Sequence, residues 1–75
     1  MTIDEINLLE KKAETRKDGV YSFRDCLWVV KDNKFVAFAD YFGNCYQRSG
    51  AFNILIGKVE TYERKQKLTE WLRAQ

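Results

Sequence analysis

One stretch restricts the folds open to this chain: residues 27–42, LWVVKDNKFVAFADYF. Apolar residues run nearly unbroken on both sides of a polar pair, Asp32-Asn33. Asp and Asn favour turns, so the stretch reads as a β-hairpin with that pair at its tip. The rest of the chain can be placed by asking what covers that hairpin.

The 75 residues allow one domain, 1–75, with a thin stability margin. Apolar content of 45% and the absence of proline argue against a disordered tail or linker. The net charge of +2 is too small to imply nucleic acid by itself. Its surplus lies at the C-terminal end, where Lys58, Arg64, Lys65, Lys67 and Arg73 outnumber Glu60, Glu63 and Glu70. The opening MTIDEINLLEKK has no apolar signal core, and no run approaches membrane-spanning length. A cytoplasmic protein with free thiols, without a membrane partner, is therefore expected.

Flanking patterns supply the other elements. Thr2 and Glu5 fit a capping box that opens a helix over 3–17. Its narrow apolar stripe is Ile3, Ile6, Leu9 and Ala13, and Asp18-Gly19 ends it. Residues 20–24 form a short strand. Gly43-Asn44 and Ser49-Gly50 mark two further turns, separating strands over 45–48 and 51–59. Thr61 caps a second helix, with Leu68, Trp71 and Leu72 as its buried stripe. The fold class is thus α+β: an antiparallel meander of four to five strands with an N-terminal and a C-terminal helix. The alternative is a small SH3-like barrel with terminal helices, because five short strands could curl closed. Size and layout resemble those of small bacterial or phage accessory proteins, a resemblance of type that carries no motif.

Two-residue loops at all three turns fix a register, and opposed residues then share a face. One face collects Leu27, Val29, Val36, Phe38, Phe42, Cys45, Phe52, Ile54 and Ile56, a core for both helices to cover. The other collects Trp28, Val30, Phe35, Ala37, Ala39, Tyr41, Tyr46, Arg48, Asn53 and Leu55. That second face is mixed, with small residues between amphipathic aromatics. The register sets Lys31 against Lys34, an unfavourable pair. It also places Cys26 and Cys45 on opposite faces, which argues against a disulfide.

Catalytic chemistry has little to work with. The chain has no histidine, so the commonest general base and the usual zinc and Ser-His or Cys-His sets are missing. Neither GxGxxG nor a P-loop is present. No catalytic residue, cofactor or metal site is expected. Asp40 is the carboxylate to watch, since the register sets it on a mostly apolar face opposite Gln47. It reads either as a rim residue or as an acid held for binding.

The mixed face is the candidate binding site: Trp28, Phe35, Tyr41, Tyr46 and Arg48. Tyr, Trp and Arg anchor protein interfaces. The function expected is a non-enzymatic protein-binding module, of homodimer, inhibitor or adaptor type, with a protein partner or self-association. The alternative is a nucleic-acid-binding domain that stacks bases on the aromatics or uses the basic C-terminal helix. A third reading competes with both: the mixed face is a second core layer, closed over by curling of the sheet or by the first strand.

Overall fold

Thr2 and Glu5 open the first helix reciprocally. The Thr2 hydroxyl accepts from the Glu5 N–H at 3.2 Å, and the Glu5 carboxylate accepts from the Thr2 N–H at 2.9 Å. The hydrogen bond from the Thr2 backbone also holds the Glu5 carboxyl below its usual range. In the computed structural model, which describes residues 1–75, helix α1 spans Ile3–Ala13. It stops four residues short of the expected end. The Asn33 side chain reaches back from the hairpin tip and donates to the carbonyls of Ala13 and Arg16. Those are end carbonyls that need a partner once the helix stops.

Five strands follow: β1 Gly19–Phe23, β2 Cys26–Lys31, β3 Lys34–Ala39, β4 Asn44–Ser49 and β5 Phe52–Lys58. They pair antiparallel in chain order, β1-β2-β3-β4-β5. The first and last strands do not pair, so the sheet stays open and the barrel alternative does not hold. A short 3-10 turn, Thr61–Glu63, leads into helix α2, Arg64–Arg73. Glu60 rather than Thr61 occupies the cap position; the Thr61 hydroxyl donates instead to the Tyr41 carbonyl at 3.1 Å.

The hairpin tip is as expected. Asp32 and Asn33 both take positive φ, 53° and 60°, and Lys31 does face Lys34. The next residues depart from a simple ladder. Val30 opposes Phe35, but Val29 opposes Ala37, leaving Val36 as an extra residue. This bulge shifts the pairing by one, and a shift of one exchanges the faces. Phe38 therefore joins Trp28, and Ala37 joins Val29.

The second turn differs as well. Asp40 and Asn44 close a loop of Tyr41, Phe42 and Gly43, with Gly43 at φ 90°. Phe42 is thus a loop residue exposed to solvent, not a core residue. The third turn is Gly50-Ala51, so Ser49 pairs with Phe52. Phe52 and Ile54, expected in the core, are exposed.

The helices lie on opposite faces of the sheet, not on one. Leu9 and Ala13 of α1 pack with Trp28, Val30, Phe35 and Phe38. Leu68 of α2 packs with Val29, Ala37, Ala39 and Cys45, and Trp71 and Leu72 close the margins. The small side chains at 37, 39 and 45 leave room for α2 to approach the sheet. Two thin cores, one on each side of the sheet, replace the one-sided core expected from sequence.

Candidate functional site

The mixed sheet face is roofed by α1. Beneath it, aromatic rings run across four strands in contact. Tyr21 meets Trp28 at 5.5 Å, Trp28 meets Phe35 edge-on at 5.7 Å, Phe35 meets Phe38 at 5.9 Å, and Phe38 stacks on Tyr46 at 5.1 Å. Arginines lie over one end and the middle of the series. The Arg16 guanidinium lies 5.2 Å from the Tyr21 ring and 5.5 Å from Trp28. The Arg48 guanidinium lies 4.7 Å from the Phe35 ring.

Four of the five expected site residues belong to this ladder. Trp28 and Phe35 are buried, and Tyr46 is half-buried. Arg48 donates to the Glu10 carboxylate at 3.0 Å and to the Phe35 carbonyl at 3.4 Å. It ties α1 to β3 and β4 and has little charge left to offer a ligand. The fifth residue, Tyr41, stands apart. It is not opposite Tyr46, whose partner is Phe38, and its exposed ring packs edge-on to Phe42 at 5.3 Å. The second-core-layer reading describes most of this face, with α1 as the cover.

Asp40 builds the loop that carries Tyr41 and Phe42. Its carboxylate accepts from the N–H groups of Phe42 (2.9 Å) and Asn44 (3.0 Å) and from the Asn44 side chain (2.9 Å). Burial pushes this carboxyl up, but the bonds from Asn44, Phe42 and Gly43 outweigh it and hold it below its usual value. All of its visible work is local. Arg64 pins the same loop from α2, donating to the carbonyls of Asp40 (3.0 Å) and Asp25 (2.6 Å). That guanidinium, the first cation of the basic helix, is engaged within the fold. Cys26 and Cys45 are free thiols on opposite faces, and burial pushes both pKa values up.

The largest groove, about 470 Å³, lies between α1 and the β2–β3 tip, lined by Glu10, Glu14, Asn33, Lys34, Phe35, Val36, Arg48 and Gly50. Five of its eight lining residues are polar or charged, with acids and bases interspersed, unlike the pockets lined by apolar side chains that enclose small ligands.

What the sequence reading passed over is β5. Phe52 is 75% exposed, Ile54 49% and Leu55 57%. Ile54 shares the α2 face with Gln47, and Leu55 shares the α1 face with Tyr46. Neither helix extends over this end of the strand. The edge is apolar on both sides, and its outer backbone groups have no strand to pair with. Phe42 lies beyond the other end of β5, beside Lys58 and Val59. A signal was available: the last strand of a meander is an edge by construction, and this one reads AFNILIG without a charge.

No helix is long and apolar enough to cross a membrane. No protein-family model, curated protein or solved structure matches the chain.

Proposed function

We propose that this chain is a small non-enzymatic protein-binding module that binds through the open β5 edge, flanked by the Tyr41–Phe42 corner. The observation that carries the reading is the exposure of Phe52, Ile54 and Leu55 on a strand whose outer edge has no partner. Exposed apolar residues on one continuous edge mark interaction sites far more often than scattered ones do. An open edge binds by adding a strand: backbone hydrogen bonds give affinity and alternate side chains give selectivity. The engagement of Asp40 in its own loop, the burial of Cys45 and the raised pKa of both thiols support a binding role over a catalytic one.

The aromatic ladder then has a supporting task. It anchors α1 on one face while α2 holds the other, so both faces of the sheet are packed and the β5 edge is left to solvent. The test is panning of a random-peptide display library on dilute immobilised protein. Extended apolar peptides should enrich on the native chain and be lost with Ile54→Lys. Failure to enrich any peptide class, together with a protein that stays monomeric, overturns the reading.

A further inference from the structure

We infer that the occupant of the β5 edge is β5 of a second copy, paired antiparallel about a two-fold axis, so that two five-stranded sheets join into one. This rests on the protein-binding reading and narrows it to one partner.

The two edges of the sheet are treated differently. Strand β1 is short and guarded by cations. Arg16 lies over Tyr21, and Arg24 and Lys12 lie over Phe23 at 5.2 and 5.8 Å. The Tyr21 hydroxyl is tied to the Lys17 carbonyl at 2.7 Å. Charged side chains along an edge discourage pairing with another chain. Over Phe52–Ile56 strand β5 has no such guard; its cations, Lys58 and the Lys67 side chain against Gly57, lie at its far end. Residues 49–57, SGAFNILIG, contain no charge and no proline, and their apolar members are strand-formers. An uncharged run of that length and β-propensity is the kind of segment that pairs with its own copy.

Charge also selects the orientation. Lys58 is the only ionic residue of β5. In a parallel pair the two ammonium groups would stand side by side, which is unfavourable. In an antiparallel pair centred near Leu55 they stand at opposite ends, each beside the Phe52 end of the other strand. The apolar residues at 54, 55 and 56 then meet their counterparts.

Having one open edge per molecule sets the stoichiometry. A two-fold contact uses both open edges and leaves only the guarded β1 edges outside, so growth stops at two copies and no filament forms. The contact is small. With aromatic side chains carrying about 150–250 Å² each, the edge buries a few hundred Å² per copy, below the roughly 800 Å² of a standard interface. Association should therefore be weak, with Kd on the order of micromolar or above.

Sedimentation equilibrium across micromolar to millimolar protein tests this, paired with amide exchange of β5 at both extremes. The native chain should pass from monomer to dimer, and the outer β5 amides should gain protection as it does. Ile54→Lys should weaken dimerisation at least about tenfold by setting a charge in an apolar contact. Ile3→Ser, at an exposed position of α1 away from the strand pair, should leave it unchanged. Should the lysine variant fold poorly, the concentration dependence of β5 protection in the native chain still decides. A chain that remains monomeric at millimolar concentration overturns the dimer, as does a dimer with unprotected β5 amides. The binding reading survives a monomer that still enriches peptides and falls with one that does not.

Discussion

Gly43 and Val59 are locked together at the corner where the β3–β4 loop meets the end of the sheet. The Val59 N–H donates to the Gly43 carbonyl at 3.0 Å. The space a side chain would need at Gly43 is already filled, because a Cβ there would lie 1.8 Å from the Val59 carbonyl oxygen. Gly43 also sits at φ 90°, a region unfavourable to residues with a Cβ. The close approach fixes how the chain leaves β5 for α2.

Gly43→Ala should therefore do more harm than the backbone angle alone explains. Gly50 provides the control: it has φ 61° and nothing within 4 Å of its Cβ position. Gly50→Ala should cost about 1 kcal/mol, the ordinary left-handed penalty. Gly43→Ala should cost at least about 2–3 kcal/mol, because the backbone at 59 must move as well. Urea denaturation of the two variants measures the difference. Equal losses would mean that the Gly43–Val59 approach is not tight.

Acid should weaken the same corner. The folded pKa of Asp40 lies below its unfolded value of about 3.9. Its contribution to stability is thus complete above that value and is lost as pH falls through the folded pKa. Urea midpoints should show no Asp40-dependent change from pH 7 to about 5 and should decline below about 4. Asp40→Asn keeps the size but not the charge. It should lose about 1.5–3 kcal/mol at neutral pH and show a shallower acid decline, because hydrogen bonds to a charged acceptor are the stronger kind. Glu5, which is also held low, remains in both proteins and should leave a residual slope.

Asn33 joins two jobs that substitution can separate. Its backbone holds the left-handed hairpin turn, and its side chain caps α1 through the Ala13 and Arg16 carbonyls. Asn33→Gly keeps the turn and removes the cap, which should cost about 0.5–1.5 kcal/mol. Asn33→Ala loses the cap and strains the turn, adding about 1 kcal/mol. In both, amide exchange should quicken in the last turn of α1 relative to the sheet. An alanine variant no worse than the glycine one would show that the turn is not left-handed.

The strands, both helices and the Asp32-Asn33 tip were legible because each rests on local pattern. The faces were legible in β2, β4 and β5 but not in the second half of β3, and Val36 is the reason. One extra residue opposite Val29 and Val30 exchanges the sides of Ala37, Phe38 and Ala39, and an unbroken FVAFA run gives no alternation that would reveal the slip; the three-residue loop at 41–43 then restores the parity, so Cys45 and Tyr46 keep the sides expected. Asp40 held a clue that the two-residue loop ignored. A carboxylate set on an apolar face signals a chain already turning, and here it organises the loop. The side taken by each helix depends on residues 14–18 and 59–60, whose lengths permit either face. Burial of Trp28 and Phe35 follows from that choice, which is why an aromatic face that read as a surface is an interior.

Trp28 gives the most direct optical check on that interior. Its indole is buried between Tyr21 and Phe35, with α1 above it. Trp71, the only other tryptophan, is half-buried at the α2 margin. In Trp71→Phe, the remaining emission should be shifted to short wavelength and should resist iodide quenching until the protein unfolds. Removing the ring is a different matter. Trp28→Ala should cost about 3–5 kcal/mol, as large-to-small changes in a packed core do. A domain this small belongs near the low end of the usual range of about 5–15 kcal/mol, where that loss consumes most of the total, so the variant should be largely unfolded or close to it. A Trp28 that emits like free indole in the folded protein would mean that α1 leaves this face open. The aromatic ladder would then return as a binding surface, and β5 would lose its standing as the principal one.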